Sequence, residues 1–232
     1  MPGAAVRGRL RRSVVGAACL ALLALLPAVS PAAAADTALD RYLAQLATLR
    51  VDFTQTLTDA RGRRLESVTG SLAVQRPGRF RWEVRPQSSA AAKPGAPAAF
   101  SQLMVADGRN VWFFDRELEQ VTVKPAAGAL TATPALLLSG SVDVHQAFRI
   151  ESQPRSAGLD WVRVTPKRSD AEFREARLGF AAGELRRMEI ADRLGQKAVL
   201  SFGRNLRNAP IDPTLLIFIP PPGVDVIGRP AS

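Results

Sequence analysis

Cysteine and histidine are almost missing from this 232-residue chain: there is one of each, Cys19 and His145. A nucleophile–histidine pair or a histidine-rich zinc site needs several such side chains brought together, and the members are not there. His145 reads as a surface loop residue. Glycine-rich phosphate loops are also missing. Asp107, Asp115 and Asp192 each stand in a turn context, where aspartate serves local hydrogen bonding. No feature favours a paired-carboxylate hydrolase. The expectation is a protein with no catalytic residues, no metal and no cofactor.

A long hydrophobic run is missing too. The one apolar stretch, Val14 to Val29, contains Pro27 and falls short of the roughly 20 residues that span a bilayer. It follows Arg7, Arg9, Arg11 and Arg12 and precedes Ala32-Ala33-Ala34-Ala35. Basic head, apolar core and small residues before Asp36 are the marks of a secretory signal. Residues 1–35 are therefore predicted to be a signal peptide and 36–232 the working domain. Gly16 stands where a lipobox wants leucine, so Cys19 leaves with the signal. Disulfides then contribute nothing to the mature chain.

The whole chain carries a formal net charge of +10. Cleavage after Ala35 removes four of its 31 bases and none of its 21 acids, leaving +6. A basic domain invites a nucleic-acid reading. The arginines, however, alternate along strands with no run, no recognition-helix pattern and no stacking motif. A solvated basic surface fits better, and no nucleic-acid partner is expected.

What the chain does have is alternation. Leu39, Leu43, Leu46 and Leu49 are spaced for one helical face over residues 37–49, with Asp36 or Thr37 as the cap. From Val51 the period drops to two: Val51, Phe53 and Leu57, then Val68, Leu72 and Val74. In Arg79-Phe80-Arg81-Trp82-Glu83-Val84-Arg85 the apolar residues share one face and the charges the other. Pro77-Gly78 turns the chain just before it, with Arg76 at the elbow. Residues 87–99 have no period and read as a surface loop. Strands resume at Gln102–Val105 and return through Asp107-Gly108 to Val111–Phe114. Further strands are read at 120–123, 148–150, 161–164, 176–180, 185–190, 198–202 and 215–219.

Thr133-Pro134-Ala135-Leu136-Leu137-Leu138 breaks the pattern, with a cap, a proline at the first helical position and good helix formers. A short apolar helix inside an all-β run must cover something. About eleven strands at hairpin spacing, without βαβ alternation, give a mainly β chain with a single antiparallel sheet. A sheet that long curls, so a barrel or open barrel is the natural shape.

Seven segments in order carry a resemblance over nearly the whole mature region. They are Asp52-Phe53-Thr54-Gln55, Gly70-Ser71-Leu72 and Arg76-Pro77-Gly78-Arg79-Phe80-Arg81-Trp82. Val105-Ala106-Asp107-Gly108-Arg109-Asn110-Val111-Trp112 and Thr133–Leu138 follow. The last two are Trp161-Val162-Arg163-Val164-Thr165-Pro166 and Phe218-Ile219-Pro220-Pro221-Pro222-Gly223-Val224-Asp225. Together they resemble the outer-membrane lipoprotein carrier family LolA. The resemblance implies an unclosed antiparallel β-barrel with an N-terminal helix and short lid helices over an apolar cavity. It implies a monomeric periplasmic chaperone that takes acylated lipoproteins from an ATP-driven inner-membrane transporter and carries them to the outer-membrane receptor LolB.

Acyl chains gain roughly 0.8 kcal/mol per CH₂ buried in a bilayer, so an acylated protein does not cross water unaided. An empty carrier needs a lid, because a large exposed apolar patch aggregates. The resemblance places Phe80 and Trp82 on the cavity-facing strand, and Leu72, Val74, Leu136 and Leu137 complete the expected lipid-binding set. Arg76 is implied to hydrogen-bond the lid and hold it shut, its fork of donors suiting carbonyls at a helix end. The 87–99 segment is longer than usual for the family, and the tail after Val226 is short. The competing assignment is a carrier of another lipid or glycolipid on the same fold. LolB itself is membrane-anchored, and the missing lipobox argues against it.

Overall fold

A computed structural model describes residues 36–86, 100–126, 135–141, 143–169, 171 and 173–231. The predicted signal over 1–35, the 87–99 loop, and Thr133 and Pro134 lie outside these residues, as do the side chains of Ala135 and Leu136.

Thr37 caps the first helix, α1 (Ala38–Ala44). Its hydroxyl accepts from the Asp40 amide, and the Asp40 carboxylate takes the Thr37 amide in return. The helix stops earlier than the leucine spacing over 37–49 indicates. Leu49 belongs instead to the first strand, β1 (Thr48–Thr58), where it is fully buried. A residue spaced for a helical face also serves as the first inward residue of a strand, and here sheet pairing wins.

β1, β2 (Arg64–Gln75) and β3 (Arg79–Pro86) form one meander. β4 (Gln102–Asp107), β5 (Asn110–Asp115) and β6 (Gln120–Pro125) continue it. Two short helices follow, α2 (Ala135–Ser139) and α3 (Val144–Ala147). The chain then returns as β7 (Phe148–Ser156), β8 (Leu159–Pro166), β9 (Phe173–Ala181), β10 (Glu184–Asp192) and β11 (Lys197–Phe202). β12 (Leu206–Arg207) and β13 (Asp225–Ile227) are short late additions.

All thirteen join one sheet in the order β13-β6-β5-β4-β3-β2-β1-β11-β10-β9-β8-β7, with β12 beside β1. β7 and β13 end that order without pairing with each other, so the barrel is unclosed. The sheet differs from the expected eleven antiparallel strands in two ways. β13 runs parallel to β6. Residues 215–219 are not a strand: Asp212 caps a 3-10 turn at Pro213–Leu216, accepting from the Thr214 amide. The alternation there is real, with Leu216 buried and Leu215 and Ile217 exposed, but the segment is an arm laid across the sheet.

Register decides what each face carries. In the β2–β3 ladder Val74 opposes Phe80 and Leu72 opposes Trp82. Across β1–β2, Leu49 opposes Val74 and Val51 opposes Leu72. The other half continues the same face through Leu200, Met188, Leu178 and Val162, each opposite the next. These residues share one hydrophobic core with α1 and α2. The opposite face carries the charges, apart from one covered patch described below.

Candidate functional site

The inner face is a continuous apolar floor. Leu72, Val74 and Phe80 on β2 and β3 are buried completely or nearly so, while Trp82 is half-buried beside them. The Phe53 ring packs 4.6 Å from that of Trp82 and 6.3 Å from Phe202, bridging β1, β3 and β11. Gly70 makes this possible. A Cβ there would sit 2.2 Å from the end of the Phe53 ring and 2.3 Å from the Glu83 carbonyl oxygen. The bare backbone lets the ring lie down on the strand.

Over the floor lie the helices. α1 buries Leu39, Tyr42 and Leu43, with the Tyr42 ring 5.4 Å from Phe180. α2 buries Leu137 and Leu138 completely and packs on β2 and β3. Five of the six expected lipid-facing residues, Leu72, Val74, Phe80, Trp82 and Leu137, thus meet in one core; the side chain of the sixth, Leu136, lies outside the described residues.

Arg76 stands where the helix ends meet the β2–β3 turn. Its guanidinium Nη1 donates to the carbonyl of Leu43 in the last turn of α1. A cation there also faces the negative end of the helix dipole. The same guanidinium lies against Gly140, the residue after α2, where an added Cβ would come within 2.5 Å of Nε. Gly140 has φ +68°, a conformation that glycine alone adopts freely. Two residues along the turn from Arg76, the Gly78 amide donates to the Ser139 carbonyl at 2.8 Å. A single β-turn therefore holds the C-terminal ends of both α1 and α2: Arg76 by side chain to the first, Gly78 by backbone to the second.

The far end of this cover is tied as well. His145 is not in a loop but in the first turn of α3, and its Nε2 lies 2.8 Å from Asp40 Oδ1 in α1. Burial pushes the Asp40 carboxyl up, and the Thr37 amide and hydroxyl together with His145 outweigh this and hold it below its ordinary value. The Tyr42 phenol is pushed well up by burial and by nearby Glu184, against the opposing charge of Arg207.

On the outer face of β4–β6, Leu103, Val105, Phe114 and Val121 form a second apolar cluster. The arm that follows the 3-10 turn covers it, placing the Phe218 ring 5.8 Å from Trp112 and 6.0 Å from Phe114. Among the described residues no group of three or more histidines, cysteines or acids is gathered as metal ligands. No helix among them is long and apolar enough to cross a membrane.

Sequence reasoning missed three participants: the Leu43 carbonyl, the Gly78 amide and Gly140. Only Gly140 left a local trace, as a glycine just past an apolar helix. The other two are backbone groups, and their roles come from tertiary contact.

Residues 44–218 match the family described as "Outer membrane lipoprotein carrier protein LolA". An "Outer-membrane lipoprotein carrier protein" from Dechloromonas aromatica is 37% identical over 97% of this chain and 100% of its own length. Proteins of the same name from Methylobacillus flagellatus and Methylococcus capsulatus are 35% and 38% identical. The first covers 82% of this chain and 87% of its own, the second 81% and 85%.

Proposed function

The chain belongs to the outer membrane lipoprotein carrier protein LolA family, and on that premise we propose that it shuttles acylated lipoproteins across the periplasm in its apolar interior. It acts as a chaperone and not as an enzyme. Residues 1–35 direct export and are removed, and residues 36–232 work as a soluble monomer. An ATP-driven transporter in the inner membrane supplies the cargo, and the outer-membrane receptor LolB takes it over. The carrier itself uses no ATP.

One observation carries the reading: the inner face of the unclosed sheet carries one contiguous cluster of aliphatic and aromatic side chains, and two short helices cover it. Leu72, Val74, Phe80 and Leu137 are sealed, so acyl chains reach them only when α1 and α2 lift away. Entry exchanges helix side chains for lipid CH₂ groups against the same floor, which keeps the apolar surface covered in both states. Arg76 acts as the latch. A hydrogen bond from a charged donor contributes about 1.5–3 kcal/mol. That is small against the roughly 0.8 kcal/mol per CH₂ that long acyl chains recover on burial. Cargo can open the cover, and closure helps expel it at the receptor.

The test is release of a lipoprotein from inner-membrane vesicles supplied with ATP. The chain should bring the lipoprotein into the supernatant as a soluble complex. Failure to solubilise any acylated protein, with glycolipid co-purifying instead, would move the assignment to the other-lipid carrier.

A further inference from the structure

The outer face holds an apolar and basic surface that the carrier reading does not use. Where the arm crosses β1–β3, Arg50, Arg81, Arg85 and Arg204 converge on a cleft of about 300 Å³. Asp52 and Glu83 share it, so four guanidiniums meet two carboxylates and the cleft is net positive. Glu83 is divided between Arg81 and Arg85. Arg50 and Arg204 have no ion pair among the described residues and are exposed. Leu206 and Leu215 line the same cleft.

The aliphatic edge continues along the arm. Leu216 is buried where the 3-10 turn packs on β3 and β4, and Phe218 packs on the second cluster. Leu215, Ile217 and Ile219 point outward, and Ile217 is 55% and Ile219 80% exposed. Nothing in the fold requires these outward positions to be apolar. Arg81 reaches the Leu215 carbonyl at 3.5 Å, joining the basic cleft to this ridge. Exposed aliphatics flanked by arginines on one surface match the chemistry of a bilayer interface: phosphodiesters for the guanidiniums, the headgroup–acyl boundary for the side chains.

We propose that this face, Arg50 and Arg204 with the Leu215–Ile219 ridge, docks the protein on an anionic phospholipid surface with its inner face turned away. The proposal goes beyond the carrier reading and can fail without it. Charge complementarity selects the occupant: the cleft has two unpaired cations, and the ridge beside it exposes aliphatic side chains to the same surface.

The experiment is co-sedimentation of the mature protein with phosphatidylglycerol-rich vesicles and with phosphatidylcholine vesicles. Binding should be specific to the anionic vesicles and should weaken with salt. Each arginine near an anionic surface contributes about 1 kcal/mol, so Arg50→Gln with Arg204→Gln should lose about fivefold per site. The double lysine variant should keep most of the binding, because a bilayer needs charge and not a fixed fork. Ile217→Ser with Ile219→Ser should also release the protein from vesicles. Lipoprotein uptake, measured alongside, should be normal for every variant and shows that each is folded. Equal vesicle binding by all variants overturns the proposal, as does no binding to anionic vesicles at low salt. Competition by inorganic phosphate at low concentration would indicate a site for a free anion and would overturn it too. So would retained binding after the isoleucine changes. Absence of lipoprotein uptake by the unsubstituted protein, with anionic-vesicle binding present in it and lost in the variants, would instead count against the carrier reading alone.

Discussion

Gly140→Ala is the sharpest probe of the latch, because it leaves Arg76 in place and pushes it. The new Cβ would lie 2.5 Å from Arg76 Nε, 2.7 Å from Nη2 and 3.0 Å from Cζ. The guanidinium is the end of a flexible side chain, so it yields, and in yielding it leaves the Leu43 carbonyl. Two costs add. Holding alanine at φ +68° costs about 1–2 kcal/mol. Losing a hydrogen bond from a charged donor costs about 1.5–3 kcal/mol more. Gly62→Ala is the control: its φ is +78°, and nothing lies within 4 Å of the added carbon. It carries the backbone cost alone. The two variants should therefore differ by about 1.5–3 kcal/mol, or roughly ten- to a hundredfold in equilibrium. Urea unfolding measures the total, and amide exchange in α1 shows whether the loss is local to the cover. In an Arg76→Leu background the extra cost of Gly140→Ala should disappear, since its partner is gone. Equal destabilisation by Gly140→Ala and Gly62→Ala would refute the contact as an energetic element.

Arg76→Leu should accept lipoprotein and release it poorly to the receptor, with Arg76→Lys intermediate; separate uptake and hand-off assays read the two steps. Phe80 is wholly enclosed, so Phe80→Ala should cost about 3–5 kcal/mol in denaturant unfolding, well above a surface hairpin substitution. Burial raises the Glu189 carboxyl, but hydrogen bonds and charge from Lys197 and Arg187 outweigh it and lower its pKa. A lowered folded pKa adds stability above the ordinary glutamate value of about 4.3 and loses it as pH falls through the folded one. Glu189→Gln should therefore flatten the acid limb of a stability–pH curve and leave little change in its slope near neutrality. Intact mass of protein from the periplasm should correspond to a chain beginning at Ala35 or Asp36, and a retained apolar leader would contradict the export reading.

The parts of this structure that were legible in the sequence are those set by period. Phe80, Trp82 and Val84 announce an inward face because β3 is paired on both sides, and its charged residues have only one other way to point. The same alternation misleads at 215–219, where Leu216 is buried under the 3-10 turn and Phe218 is held by an apolar patch, neither by a ladder. Asp212 and Pro213 were the local sign of a capped turn there, and the apolar repeat masked it. β12 and β13 are too short to show a period, and the parallel run of β13 depends on the course of the whole arm. In the site, the inward residues were readable and their cover was only half so. Arg76 finds Leu43 across 33 residues, and the group it binds is a backbone carbonyl that any residue would supply. His145 meets Asp40 only because α3 folds back on α1, 105 residues away in sequence.

Photo-crosslinking to a lipoprotein's acyl chains tests the central claim most directly. A photoreactive residue placed at Trp82, half-buried on the inner face, should crosslink to acyl chains during ATP-driven release from the inner membrane. The same residue at the neighbouring Glu83, on the outer face of the same strand, should give no acyl adduct. Adducts from position 83 and none from position 82 would contradict a cargo carried inside the barrel.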